Sequence, residues 1–194
     1  MFSINPDRGI LWPREAFMPR LFFLVMAMGM LTAQWVRADS GDNTTLVSAD
    51  GKYQLVVPKP WEANDFHLPN VQIGAIDKHR GQYAEVIVER QEDYTDSLDQ
   101  YADAKRDTMA MSLDNPRLTP GERLKIKGQD AVRFEIHGQL PNSSIAIGYS
   151  LTVIKTKTHY VQVIGWTEDS HFADNRAELE GLASGFSEAS GAGQ

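Results

Sequence analysis

Apolar and polar residues alternate with a period of two in several segments after residue 52. Successive side chains of a strand point to opposite faces of a sheet, so this period is typical of half-buried strands. It predicts strands at 53–58, 71–78, 82–91, 122–127 and 131–139. Two later runs, 144–155 and 159–167, carry apolar residues on both faces, which is typical of central, covered strands. Short links such as HRG (79–81) and TKT (156–158) favour antiparallel neighbours.

Helical periodicity replaces this alternation in two segments. In the first, 95–113, Ser97 and Gln100 match the capping box that starts many helices. The second, 172–186, carries an apolar stripe, with Ser170 as the expected N-cap residue. The resulting order is strands, helix, four strands and helix. This order predicts an α+β fold, in which an antiparallel sheet packs against helices.

The longest apolar run lies before all of these elements, at 21–33. It spans 13 residues, whereas a membrane-spanning helix needs roughly 20 and a secretory signal about 7–15. Arg20 precedes it, and Val36 and Ala38 fit a signal-peptidase site. We therefore predict that 1–38 is a signal peptide, cleaved between Ala38 and Asp39. An uncleaved anchor is the alternative, and Met18 is a candidate for the true start of translation.

The remaining residues form one predicted domain at 39–187, followed by a disordered tail at 188–194. Removal of 1–38, with its four arginines and two acids, changes the formal net charge from −7 to −9. An acidic domain is repelled by phosphate backbones, so we expect no nucleic-acid partner. The chain has no cysteine, which excludes disulfides, thiol catalysis and lipidation at a cysteine. We therefore expect no stable membrane anchor after cleavage.

The order of elements and several short segments resemble the PsbP-like superfamily, in its bacterial DcrB-like (DUF1795) branch. The segments that carry this likeness are YQLVVPKPW (53–61), SLDQYADAKRDTM (97–109), IKGQDAVRFEI (126–136), YVQVIGWT (160–167) and LASGF (182–186). The resemblance spans nearly all of 46–187. It implies an antiparallel sheet of about six or seven strands flanked by helices. It also implies a mostly non-catalytic protein, since relatives include photosystem II subunits, a Ran-binding import factor and periplasmic proteins.

Motifs for catalysis or metal binding are weak in this chain. The five histidines do not have H-E-x-x-H spacing, and G-x-S-x-G is absent. A metal-dependent enzyme would have to use cross-strand residues, such as His137 with Glu135, or His159. We expect no cofactor and no catalytic residues.

Two other binding modes stay open from the sequence. The irregular stretch 60–70 carries Trp61, Phe66 and His67, which are weak candidates for surface binding. We favour the alternative that Trp61 packs into the core. A carrier of a small apolar ligand would instead need a cavity between sheet and helix. Its predicted lining is Tyr101, Met109, Phe134 and Phe186.

The leading hypothesis from the sequence is a soluble, exported, non-catalytic accessory protein of the cell envelope. It would be periplasmic or secreted, and its partner would be another envelope protein.

Overall fold

The computed structural model describes residues 38–40, 42–68 and 70–189. The early strands are β1 (Ala38–Ser40), β2 (Asn43–Val47), β3 (Tyr53–Pro58), β4 (Glu62–Ala63), β5 (Val71–Asp77) and β6 (Gln82–Arg90). After helix α1 (Leu98–Ala110) come β7 (Asp114–Leu118), β8 (Glu122–Ile126), β9 (Gln129–Gln139), β10 (Ala146–Lys155) and β11 (His159–Glu168). Helix α2 (Asp169–Gly185) and strand β12 (Phe186–Glu188) complete the described chain. The predicted α+β fold is confirmed.

The large sheet has eight antiparallel strands in the order β4-β5-β6-β11-β10-β9-β7, with β8 also paired to β9. Its centre is β10 and β11, which are buried over almost their whole length, as their apolar pattern predicts. The predicted hairpin of β5 and β6 is present, with Asp77 opposite Gln82. Along β9, Val132, Phe134 and Ile136 are buried, while the alternate residues are half-buried. The period of two therefore predicted both the strand and which of its side chains are buried.

A second sheet of four strands, in the order β1-β2-β3-β12, was not predicted. The segment YQLVVP is a strand, but it belongs to this small sheet, where Leu55 and Val57 point into the core. Strand β12 follows α2 directly, and Glu188 pairs with Tyr53. The predicted tail therefore begins too early, because pairing with β3 keeps Glu188 in a strand. Residues 190–194 lie outside the described residues.

Helix α2 packs on β10 and β11 of the large sheet and on β3 of the small sheet. Close approach is possible because Gly148 lies beneath the Phe172 ring, at a distance that leaves no room for a Cβ atom. The helix begins at Asp169, and its N-cap position is Glu168, which makes no side-chain capping bond. The prediction of Ser170 as the N-cap is therefore wrong, because Asp169 and Ser170 already lie in the first turn.

Helix α1 lies against the opposite face of the large sheet. It begins with the predicted capping box, in which Ser97 and Gln100 each bind the backbone N–H of the other. The guanidinium group of Arg106 in α1 lies 5.0 Å from the ring centroid of Phe134 in β9. His137, whose side chain points to the other face of β9, contacts Phe172 of α2. Because neighbouring residues of β9 point to opposite faces, the two helices sandwich the sheet.

The segment with Pro116, to which the sequence pattern assigned no strand, forms the edge strand β7. Proline is compatible with an edge strand, because its missing N–H lies on the unpaired side. The pairing register shifts between Asp114 and Arg117, which is a further feature of protected sheet edges.

Residues 1–37 of the predicted signal peptide lie outside the described residues. Ala38 and Asp39, which flank the predicted cleavage site, belong to β1 and pair with Thr45 and Thr44. Among the described residues, no helix is long and apolar enough to cross a membrane.

Two glycines of α2 provide a matched test of this packing. A Cβ atom at Gly185 would collide with the backbone carbonyl oxygen of Val56 in β3, whereas one at Gly181 would meet no atom within 4 Å. We expect Gly185→Ala to destabilise the protein by about 1–3 kcal/mol, the usual cost of overpacking. Gly181→Ala should stabilise it by about 0.5–1 kcal/mol through helix propensity. Urea unfolding of both variants measures this, and equal effects would contradict the packing of α2 on β3.

Candidate functional site

The face of the large sheet that carries α1 also carries the candidate site. The alternation of β6 places Tyr83, Glu85 and Ile87 on this face, and all three are half-buried. Their partners on β11 are Trp166, Ile164 and Gln162. Helix α1 packs mainly on β9 and β10, so this part of the face lies beside the helix.

Four aromatic residues, which we call the aromatic patch, gather at this position: Phe66, Tyr83, Tyr149 and Trp166. The ring centroid of Trp166 lies 5.5 Å from those of Tyr83 and Phe66, and 6.1 Å from that of Tyr149. Trp166 is 5% exposed, whereas Phe66 and Tyr83 are half-buried. The patch therefore has a buried centre and a rim that solvent reaches.

A glycine of β5 allows the loop 64–68 to close over the sheet at this patch. A Cβ atom on Gly74 would collide with the Asn64 carbonyl oxygen and lie 2.8 Å from the Phe66 ring. The amide N–H of Asn64 donates to the Gly74 carbonyl at 3.0 Å. Phe66 is thereby held against Trp166.

Glu85 is the one acidic side chain on the strand between Tyr83 and Ile87. Within the part of the chain that the structure describes, it has no hydrogen bond or ion pair. Burial raises the pKa of Glu85 to about 7, because the surrounding protein disfavours the charged form. Burial, and then the charge of Glu85, raise the pKa of Tyr149 above its ordinary value. The two side chains are thus electrostatic neighbours.

Glu89, four residues further along β6 on the same face, is an acid that has several partners. It accepts hydrogen bonds from Tyr94 at 2.7 Å, from Gln162 at 3.0 Å and from Tyr101, and Lys105 lies 2.6 Å away. Burial would raise its pKa, but the bonds from Lys105, Tyr101 and Tyr94 outweigh that effect and lower it. Glu89 is a structural residue, since its partners come from α1, the segment before it and β11.

His137 lies on the other face of the sheet in a network of charges. Its Nδ1 is 2.5 Å from Asp169 of α2, and its Nε2 is 3.6 Å from Glu135. Each carboxylate also has an arginine partner, Arg117 for Asp169 at 2.9 Å and Arg176 for Glu135 at 3.0 Å. Both ring nitrogens therefore face carboxylates, and the network joins β9 to α2.

The predicted metal pair, His137 with Glu135, is thus close in space. His159 is the first residue of β11. Its Nδ1 lies 2.9 Å from the Thr158 hydroxyl and 3.4 Å from the Glu188 carboxylate. The described residues contain no group of three or more potential ligands that could hold a metal ion. The structure does not bring His137 and His159 together.

The predicted surface residues differ in their positions. Trp61 is 1% exposed and its Nε1 donates to Glu178 at 2.6 Å, so it is a core residue and not a surface-binding one. Phe66 belongs to the aromatic patch. His67 is exposed, with a positive φ of 54°, and its backbone N–H donates to Asp65.

The four residues predicted to line an apolar cavity do not surround one space. Phe134 lies beneath α1, whereas Phe186 packs with Tyr53 in the small sheet on the opposite side of the large sheet. Tyr101 belongs to the Glu89 network, and Met109 is half-buried. The cavity that the carrier hypothesis predicts is not formed by these residues, because they lie in separate parts of the core.

Sequence reasoning missed Glu85, Tyr83, Tyr149 and Trp166. A signal was present in YAEVIV (83–88), where one acid interrupts an otherwise apolar strand. Such a residue is unusual on a buried face, because a carboxylate rarely loses water without a partner.

Solved structures with a similar fold have low sequence identity to this chain. Cyanobacterial PsbP (CyanoP) from Synechocystis is 16% identical, with a TM-score of 0.54 over 85% of this chain and 98% of its own. The Ran-binding protein Mog1p of Saccharomyces cerevisiae is 11% identical, with a TM-score of 0.52 over 76% of this chain and 96% of its own.

LpqN of Mycobacterium tuberculosis, described as involved in cell envelope biogenesis, is 11% identical, with a TM-score of 0.51 over 80% of this chain and 90% of its own. No family model and no curated protein matches the chain. These likenesses show that the chain has a PsbP-like fold.

The pKa of Glu85 predicts how stability depends on pH. The folded state binds a proton on Glu85 up to about pH 7, whereas an ordinary glutamate loses it near 4.5. Stability should therefore fall as pH rises between these values, by about 2–3 kcal/mol in total. Glu85→Gln should remove this loss and stabilise the protein at pH 8.

Urea unfolding at pH 5, 6, 7 and 8 measures the difference between variant and parent. The exposed acid Glu92 provides a control, since Glu92→Gln should leave the pH dependence unchanged. An unchanged slope in Glu85→Gln would contradict the burial of this carboxyl group.

Proposed function

We propose that this protein is an exported, non-catalytic accessory protein of the cell envelope, of the DcrB-like branch of the PsbP-like superfamily. It resides in the periplasm or is secreted, and it binds another envelope protein. The signal-like segment 1–38 and the PsbP-like fold support this proposal. The structural likeness to LpqN, a protein involved in envelope biogenesis, is compatible with it.

The aromatic patch with Glu85 is the observation that carries the proposal. Aromatic side chains on a solvent-reached rim are the residues that protein interfaces favour, because they bury much apolar area with few rotatable bonds. Ile87 shares the face of β6 with Tyr83, and the exposed Leu68 follows Phe66 by two residues in the chain. We assign partner binding to this surface.

The polar clusters of the described residues support a role without catalysis. Both ring nitrogens of His137 face carboxylates that are themselves paired with arginines. A general base needs a ring nitrogen that can reach a substrate proton. Asp169 occupies Nδ1 of His137, and Glu135 lies 3.6 Å from its Nε2. Glu89 is likewise engaged by four groups of the chain itself.

Export predicts a defined mature protein. In native cells that produce the full chain, the periplasmic or secreted fraction should contain a protein whose N-terminal residue is Asp39. N-terminal sequencing of fractionated cells measures this. A protein that stays in the cytosolic fraction with residues 1–38 attached would overturn the proposed compartment.

Partner binding predicts a position-dependent cross-link. With p-benzoylphenylalanine in place of Tyr83, illumination of living cells should yield a discrete adduct with one envelope protein, identified by mass spectrometry. The same group in place of Met111, which is 87% exposed at the end of α1, is the matched control and should give none. Equal adducts at both positions, or none at Tyr83, would contradict a binding role for the patch.

A further inference from the structure

Among the described residues, no lysine or arginine side chain pairs with Glu85. Lys105 of α1 is engaged 2.6 Å from Glu89, and Arg80 is engaged by Asp77 and Glu178. Helix α1 thus supplies a cation to Glu89 near the end of β6, whereas Glu85, near the middle of the strand, has no such partner among the described residues. This inference rests on the proposed function of the patch as a binding surface.

The surroundings of Glu85 fit the two parts of a lysine side chain. The rings of Phe66 and Tyr83 form an apolar rim, against which a four-carbon stem can pack. The faces of aromatic rings attract a cation, most strongly when the site is shielded from water. Glu85 lies on the same face of β6 as Tyr83 and pairs in register with Gly74, which lies beneath Phe66, so its carboxylate would add a direct ion pair.

The local charges and acceptors favour an ammonium over a guanidinium group. Glu85 offers two carboxylate oxygens, and Tyr149 is its electrostatic neighbour. An ammonium group has three donors, which this small set can satisfy, whereas a guanidinium group has five. The charge of Glu168, which together with burial raises the pKa of Tyr83, adds negative potential at the rim.

We propose that the aromatic patch accepts a lysine side chain of the partner protein, with its ammonium group paired to Glu85 and its stem against Phe66 and Tyr83. The lysine would be flanked by apolar residues, because the surface around Glu85 is apolar. Binding would complete the ion pair that the free protein lacks.

Titration of the mature protein with short peptides tests this proposal. The probe is acetyl-Gly-Leu-Phe-Lys-Leu-Gly-amide, and its matched control has norleucine in place of lysine. NMR follows the indole N–H of Trp166 and the ring protons of Tyr83. We expect saturable shifts with the lysine peptide, at an affinity about tenfold above that of the norleucine peptide, as for a partly desolvated ion pair.

Variants separate the ion pair from general apolar binding. Glu85→Gln should lose the preference for lysine while it still binds the norleucine peptide, and Glu92→Gln should keep the preference. Equal affinity of both peptides for the parent protein, or no saturable shift with the lysine peptide up to about 5 mM, a weak-binding limit, would overturn the proposal. n-Butylammonium that binds as tightly as the lysine peptide would overturn the choice of a protein partner.

The two proposals fail in different ways. A discrete cross-link at Tyr83 without any preference for lysine overturns only the lysine, and leaves the patch as a binding surface. Loss of the cross-link together with loss of peptide binding overturns both.

Discussion

The contacts of Arg80 join the layers of the described chain. Its guanidinium binds Asp77 at 2.7 Å and the two oxygens of Glu178 at 2.5 and 2.7 Å. Glu178 lies on α2 and also accepts a hydrogen bond from the indole N–H of Trp61. Trp61 lies three residues after the end of β3 in the small sheet. Asp77 is 0% exposed, and removal of one partner from a buried ion pair is costly. Because the Arg80 side chain is 40% exposed, this contact mainly orients the layers and adds little net stability.

This arrangement determines which face of the large sheet α2 and the small sheet leave uncovered. The small sheet and α2 both pack on one face, through residues such as Leu55 and Leu179. The other face has α1, which packs mainly on β9 and β10 and reaches β6 and β11 through Tyr101. The position of α1 determines which of two acids on β6 has partners. Glu89 lies within reach of its tyrosine and lysine, whereas Glu85 lies beyond them beside the aromatic rings.

The sequence predicted the local features and could not predict which layers meet. Ser97 and Gln100 start α1 as expected, because a capping box is formed by neighbours in the chain. The segment 53–58 is a strand as its alternation requires, but nothing in that alternation says which sheet it joins. The pattern of β6 likewise places Glu85 and Glu89 on one face. Only the path of α1, set by contacts far apart in sequence, distinguishes the paired acid from the unpaired one.

The PsbP-like fold by itself does not assign a function, because a likeness at 11–16% sequence identity shows the fold alone. A function has to come from residues where the sequence departs from what folding alone would favour. Glu85 is such a residue, since an apolar side chain in its place would avoid the cost of desolvating a carboxyl group. A bound cation would offset that cost, because the ionised group would then have a partner, which none of the described residues supplies. If the proposed lysine binds there, the unpaired acid lowers the stability of the free protein and adds to the affinity of the complex.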